Sequence, residues 1–248
     1  MSHLSVALPR NVGAGKSKPI TEPCLSVIMP VFNEISTLDT ILDQVLAQPC
    51  VNELIVVDDG STDGSRERLE KRQHSHVRLK VLFHKQNQGK GAAVRTGLAA
   101  STAKVIIIQD ADLEYNPNEY GRMLNLILQD GVDVVYGSRF GKGAQARTFW
   151  WHRLGNRCLT LASNLITGLW LTDEATCYKM FKREVLTRIC LNENGFGFCP
   201  EFTVKISRLG ITVRELPIQY RSRSIAEGKK IRIWHGIEAL MCLAKYRW

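Results

Sequence analysis

Along this chain, short unbroken apolar runs alternate with stretches of helical period. Leu25–Val31 and residues 54–58, 79–84, 105–109 and 132–136 read as strands, rich in Val, Ile and Leu with few polar interruptions. Between them, 36–48 places Ile41, Leu42, Val45 and Leu46 on one helical face behind an N-cap at Ser36 or Thr37, and 63–72 reads as a charged helix. Residues 90–100 form a helix of small residues entered through Gly89 and Gly91, and 117–129 a helix capped by Asn116 with Pro117 in its first turn. Strands that are apolar on both faces and alternate with helices build an α/β fold, a mostly parallel central sheet with helices on both faces. Ligands of such sheets bind beyond the carboxyl ends of the strands.

After Gly137 the pattern changes. Residues 139–157 hold Arg139, Lys142, Arg147, Arg153 and Arg157 and no acid, with Phe149, Trp150 and Trp151 among them, and an apolar stretch follows at 158–171. A strand–helix pair is expected at 177–181 and 184–190, with Cys177, Tyr178 and Lys179 as strand core and the lysine turned outward. A helix is expected at 200–208, extended chain at 211–220, a basic loop at 221–230 and a closing amphipathic helix at 233–246. The expected organisation is a flexible arm at 1–23 and one domain at 24–248, whose segments 139–171 and 221–248 are basic and partly apolar and suit a membrane surface.

Composition narrows the classes. A length of 248 residues suits one large domain, and a net charge of +9 favours partners that carry phosphate. Seven scattered cysteines, an odd number without metal-ligand spacing, point to free thiols in a reducing compartment. Residues 1–23 contain no apolar segment of signal-peptide length, and no run reaches the roughly 18 apolar residues of a spanning helix. The expected location is therefore cytoplasmic, peripheral at the inner face of the membrane. Gly13–Ser17 ends like a phosphate-binding loop, but position 10 is Arg and no strand precedes it, so it is set aside.

The candidate chemistry lies at the strand ends. The first expected strand runs into Pro30, Phe32 and Glu34, the second into Val57, Asp58, Asp59 and Gly60, the fourth into Asp110, Ala111, Asp112 and Glu114, and the fifth into Arg139. Carboxylates at positions i and i+2 can converge on a hard cation, and Mg²⁺ and Mn²⁺ are held by such acids together with substrate phosphates. An isolated acid pair of this kind is more often a turn; three acidic strand ends and a basic one along a single sheet edge read as a site for a metal-bound diphosphate. Arg139 adds a fork suited to phosphate oxygens.

These segments resemble the family 2 glycosyltransferases of GT-A (Rossmann-like) fold. Residues 87–91, 137–140 and the pair Arg223 and Lys229 narrow the likeness to enzymes similar to dolichol-phosphate mannose synthase and bacterial polyprenyl-phosphate hexosyltransferases. The resemblance spans about residues 25–247 and implies inverting transfer of a hexose from a nucleotide sugar, of GDP-mannose or UDP-glucose type, to a polyprenyl or dolichyl phosphate. By the same resemblance Pro30, Phe32, Glu34, Val57 and Asp59 hold the donor's base and ribose. Asp110, Ala111 and Asp112 hold its diphosphate and a Mg²⁺ or Mn²⁺ ion, with Glu114 as a third ligand. Arg139 lies between donor and acceptor phosphate, Arg153 and Arg157 grip the lipid phosphate, and Arg223 and Lys229 sit on a loop that closes over the donor. Asp112 and Arg139 are then the catalytic pair. A membrane protein could serve as a separate anchor. Cys199 and His235 stand where relatives carry an acid; Cys199 reads as an inert pocket wall.

Two other classes compete. A soluble family 2 enzyme acting on a saccharide hydroxyl would need a base, for which the sequence offers Asp173, Glu174 or Glu201. A nucleic-acid-binding protein on a degenerate transferase fold would suit the basic charge, but it would have no use for the full set of metal acids and donor positions.

Overall fold

The computed structural model describes residues 22–147, 150–223 and 233–247. The arm at 1–21 and Lys229 with its neighbours at 224–232 lie outside the described residues, as do the side chains of Arg147, Phe149, Trp150 and Trp151.

The apolar runs become strands β1 (Leu25–Val31), β2 (Val51–Asp58), β3 (Leu79–Phe83), β4 (Val105–Ile108) and β5 (Val134–Ser138). They alternate with helices α1 (Leu38–Leu46), α2 (Ser65–Arg72), α3 (Lys90–Ala100) and α4 (Tyr120–Leu128). Successive side chains of each strand point to opposite faces, and both faces are apolar. Val27, Met29 and Val31 pack with α1 and α4, while Ile28, Ile106 and Ile108 pack with α3 and α6 (Phe198–Arg208).

The sheet has seven strands, ordered β3-β2-β1-β4-β7-β5-β8, where β7 is Lys179–Lys182 and β8 is Val213–Pro217. All pairings are parallel except those of β7, which runs antiparallel between β4 and β5. Its start therefore lies at the edge where β4 and β5 end, and it delivers residues 172–178 to the site. Two further short strands, β6 (Gln145–Arg147) and β9 (Gln219–Arg221), pair with each other. Helices α5 (Trp150–Thr167) and α7 (Ile233–Tyr246) pack against α6 through Leu159, Val204, Ala239 and Leu243.

Several local expectations change. Residues 183–188 form a 3-10 turn, not an α-helix. Thr37 precedes α1 without capping it; its hydroxyl instead donates to the carbonyl of Ala111 at 2.7 Å, tying the helix start to the acidic loop. Asn116 does cap, accepting from the Asn118 amide. Lys179 is not turned outward. It is fully buried, with Nζ donating to the carbonyls of Glu174 and Thr176 and lying 3.9 Å from the centre of the Tyr136 ring, so carbonyl dipoles and the ring face replace water. Among the described residues no helix is long and apolar enough to cross a membrane.

Candidate active site

The acidic ends of β1, β2 and β4 and the basic end of β5 line one edge of the sheet. Gln109 fixes the β4 end: its side-chain oxygen accepts from Tyr120 at 2.6 Å and Tyr178 at 2.5 Å, and its amide donates to the Asp110 carbonyl. Leu113 then turns the chain with φ of 59°, a left-handed conformation uncommon for a branched residue. This turn places Asp110 and Asp112 at the site while Ala111 and Glu114 point into the fold.

Each of the two aspartates faces a protein cation. Asp110 Oδ1 is 2.6 Å from Lys90 Nζ, and Asp112 Oδ2 is 3.2 Å from an Arg223 guanidinium nitrogen. Arg223 also binds both oxygens of Glu34, at 2.8 and 3.1 Å. Burial alone would raise the Asp110 carboxyl, but the charge and hydrogen bond of adjacent Lys90, with the Cys177 thiol and the Arg223 charge, together outweigh it and hold the group below its usual range. Asp112 goes the other way, pushed up to about 7 by burial and by the charges of Asp110 and Glu114. Burial would lower the Lys90 ammonium; the Asp110 charge, together with the Cys177 and Cys199 sulfurs and the hydrogen bond to Asp110, reverses this and holds it well above its ordinary value. Two close acids that recruit two ammonium or guanidinium partners form a site rich in negative charge, with oxygen donors suited to Mg²⁺ or Mn²⁺.

Glu114 occupies a different place from the third ligand expected. Its Oε1 accepts from the Arg223 backbone amide at 2.6 Å and its Oε2 from the Tyr220 hydroxyl at 2.5 Å. It anchors the chain after β9 to the acidic loop. Among the described residues no three His, Cys, Asp or Glu side chains form a metal cluster.

The donor-side residues divide in the same way. Pro30, Phe32 and Glu34 stand at the β1 end, and Glu34 is brought to Asp112 through Arg223. Val57 has no accessible surface; it lies in the core beneath α3, so its side chain cannot touch a donor in this conformation. Asp59 is buried, with a nearly saturated carboxylate: it accepts from the Gln88 and Gly89 amides at 2.9 and 2.8 Å and bonds His84 Nδ1 at 2.7 Å. It thus shapes the loop 84–91 from beneath. Gly60, with φ of +76°, lies under the same loop; a Cβ there would sit 2.7 Å from the Asn87 nitrogen.

At the β5 end, Arg139 forms a buried fork with Asp173. Nε and one terminal nitrogen donate to its two oxygens at 2.7 and 2.8 Å, and the Arg139 amide adds a third bond at 2.9 Å. The Arg139 guanidinium also lies 5.1 Å from the Tyr220 ring centre and 5.4 Å from that of Phe140. Burial opposes its charge, but Asp173 more than compensates. Arg153 and Arg157 are exposed on α5. With Phe140, Leu161, Leu171 and Thr172 they line a groove of about 440 Å³. Glu201 is fully buried and accepts from the Asn192 and Glu193 amides and from Lys205.

Three contributors escaped the sequence reading as individuals: Lys90, Cys177 and Tyr220. For Lys90 a signal existed, a lysine between two glycines at a helix start; the others have none.

A mostly parallel sheet with these acids at its strand ends defines a glycosyltransferase of GT-A-like fold. Residues 26–190 match the family described as Glycosyl transferase family 2, and the chain belongs to that family. It is 30% identical over 237 residues to polyprenol monophosphomannose synthase of Mycolicibacterium smegmatis, covering 91% of this chain and 89% of that one. It is also 30% identical over 207 residues to the glycosyltransferase AglJ of Haloferax volcanii, covering 82% of this chain and 65% of AglJ, so it spans less than two thirds of that relative. The structure of glucosyl-3-phosphoglycerate synthase from Mycobacterium tuberculosis, solved with Mn²⁺, UDP and glucosyl-3-phosphoglycerate, matches with a TM-score of 0.70 over 90% of this chain and 80% of that one. At 22% identity that likeness concerns the fold.

Proposed function

We propose that the protein transfers a hexose from a nucleotide sugar to a polyprenyl phosphate, with inversion, at the cytoplasmic membrane surface. The groove beside Arg139 carries this reading. It joins two exposed guanidinium groups to an apolar wall of Phe140, Leu161 and Leu171, a pairing suited to a phosphate head with a hydrocarbon tail. The similarity to a polyprenol monophosphomannose synthase supports the same acceptor.

Asp110 and Asp112 are the residues that would hold Mg²⁺ or Mn²⁺. When bound, the ion supplies positive charge to the departing diphosphate. Pro30, Phe32 and Glu34 border the donor, with Asp59 and Ala111 shaping the loops around it. Arg223 closes over the donor with Lys229, and Arg139, Arg153 and Arg157 orient the acceptor.

A phosphate monoester has a second pKa of about 6, so the acceptor is already an anion at neutral pH and needs no base. Its oxygen forms the new bond to the anomeric carbon. The bond to the nucleoside diphosphate breaks on the opposite side and takes the electron pair with it. The protein's part is orientation and charge stabilisation. Asp173 is committed to Arg139, and Glu201 to backbone amides, so neither is placed as a base for a hydroxyl acceptor.

Leu154, Leu161, Leu165 and Trp170 in and just after α5, with Trp234, Ile237, Leu240 and Met241 of α7, are exposed apolar groups on two adjacent helices. Beside basic side chains they suit an interfacial membrane contact, each Lys or Arg adding about 1 kcal/mol at an anionic leaflet.

The test is incubation with Mn²⁺ or Mg²⁺, a polyprenyl phosphate and a panel of labelled nucleotide sugars. Label should enter the lipid phase from one donor and disappear with Asp112→Asn. Label passing to a saccharide instead would establish the soluble hydroxyl-acceptor reading.

A further inference from the structure

A buried histidine stands behind the donor side of the site. In the sheet, the acids at the β4 end have β7 and β5, with Arg139, on one side and β1, β2 and β3 on the other. A diphosphate held at Asp110 and Asp112, with its sugar turned toward Arg139, leaves its nucleoside over the ends of β1 to β3. The loop after β3 borders that end. Lys85, Gln86, Asn87 and Gln88 are exposed on it, and carboxamides both donate and accept hydrogen bonds, as the edge of a nucleobase does.

His84 opens this loop. Its Nδ1 lies 2.7 Å from Asp59 Oδ1, and its Nε2 lies 2.9 Å from the Thr96 hydroxyl of α3. A carboxylate only accepts, which assigns the proton to Nδ1 and leaves Nε2 to accept from Thr96. The backbone is fixed as well: the His84 amide donates to the Asp58 carbonyl at 2.8 Å, and its carbonyl accepts from Arg66 at 2.9 Å. Asp59 Oδ1, the oxygen that His84 holds, also accepts from the Gln88 amide, and Oδ2 accepts from the Gly89 amide. Three donors thus share one carboxylate, and two of them are the loop's own amides. Without the imidazole, the carboxylate loses its third donor and its fixed plane, and the two loop amides lose a fixed target.

We infer that His84 is a positioning residue for the nucleotide donor: through Asp59 it holds the loop 85–89 in the form that receives the nucleoside. The inference rests on the proposed donor reading. At 9% exposure His84 stands below the loop surface, so it acts through Asp59 and not by touching the donor. Thr96 keeps the ring turned toward Asp59.

A packing role and a positioning role ask for different things from this side chain. Packing needs the volume of the ring, which His84→Phe keeps. Positioning needs an N–H at the place of Nδ1, which His84→Asn keeps without the ring.

The test titrates the full chain and its variants with UDP and with GDP in the presence of Mn²⁺ by calorimetry, with urea midpoints measured alongside. For whichever nucleotide the parent binds, His84→Phe should weaken binding by about tenfold or more, the order expected for a lost hydrogen bond to a charged group. His84→Asn should recover most of that affinity even if its urea midpoint is lower, and Thr96→Val should weaken binding by about threefold. In the transfer assay the His84→Phe loss should appear in the donor KM, with kcat and the acceptor KM near those of the parent. Nucleotide affinity unchanged in His84→Phe, or as weak in His84→Asn as in His84→Phe, would overturn the inference. So would a loss spread equally over donor and acceptor KM. A parent chain that binds neither nucleotide would overturn the donor reading itself, and this inference with it, so the two failures are told apart. Should His84→Phe not fold, Thr96→Val carries the test, and an affinity equal to the parent's overturns the inference.

Discussion

Replacing Asp173 by Asn tests how the acceptor side is held. Asp173 is fully buried, and the Arg139 side chain is 11% exposed. The carboxylate accepts three bonds from Arg139 and one from Asn156, and the Asp173 amide is fixed by Glu215 at 3.0 Å. Asparagine keeps the shape but removes the charge, stranding a buried guanidinium. Breaking one partner of a buried pair costs about 3–5 kcal/mol, and a domain's whole stability is about 5–15 kcal/mol. Urea unfolding should therefore show a midpoint lowered with little change in slope. A double variant, Arg139→Met with Asp173→Asn, should recover part of the loss, since no charge remains unpaired. In the transfer assay the single variant should raise the KM for polyprenyl phosphate, because Arg139 no longer holds its orientation. A loss below about 1 kcal/mol, or a kcat loss at unchanged acceptor KM with a missing ionisation in the pH profile, would refute this reasoning and make Asp173 a base.

Further consequences follow from other contacts. Arg223→Ala frees Glu34 and Asp112 of a competing cation, so Mn²⁺ alone should bind more tightly while the KM for donor rises, both measurable by titration and initial rates. Glu174 is fully buried, and burial pushes its carboxyl up to about 7; one oxygen accepts from Thr203 and the other accepts no hydrogen bond. The folded state thus retains a proton that the unfolded chain releases near pH 4.5. Stability on the order of 3 kcal/mol should be present below pH 4.5 and be lost as pH rises through about 7, and Glu174→Gln should flatten that slope in urea midpoints. Gly91→Ala should lower the thermal midpoint and weaken nucleotide binding, because its Cβ would collide with the Glu193 carbonyl behind the start of α3.

The parallel half of the fold was readable because β1 to β5 are rich in apolar residues and β1 to β4 are each followed by a helix, amphipathic, charged or built of small residues. β7 was not readable as antiparallel: its direction depends on which strands flank it, and Lys179 looks polar in sequence although carbonyls and an aromatic face absorb its charge. The convergence of the paired acids on the sheet edge was legible from position alone, since a strand end fixes where Asp110 and Asp112 project. Residue identity was a poorer guide to partners. Glu114 carries the same carboxylate yet is claimed by Tyr220 and Arg223, more than a hundred positions later. Val57 matched a donor position while its side chain belongs to the core. The alliance of Lys90 with Cys177 joins α3 to the approach of β7, and nothing local announces it.

The antiparallel strand has a consequence for the order of folding. β1 to β4 can pair as the chain emerges, but the gap between β4 and β5 is filled by a strand some seventy residues downstream of β4. Contacts across such separations form late, since loop closure must precede them. The same strand brings Asp173 to Arg139 and Cys177 to Lys90. A chain arrested before residue 172 thus has its acidic strand-end loops but neither the partner of Arg139 nor the strand that joins β4 to β5, so filling the gap in the sheet and pairing Arg139 with Asp173 are one event.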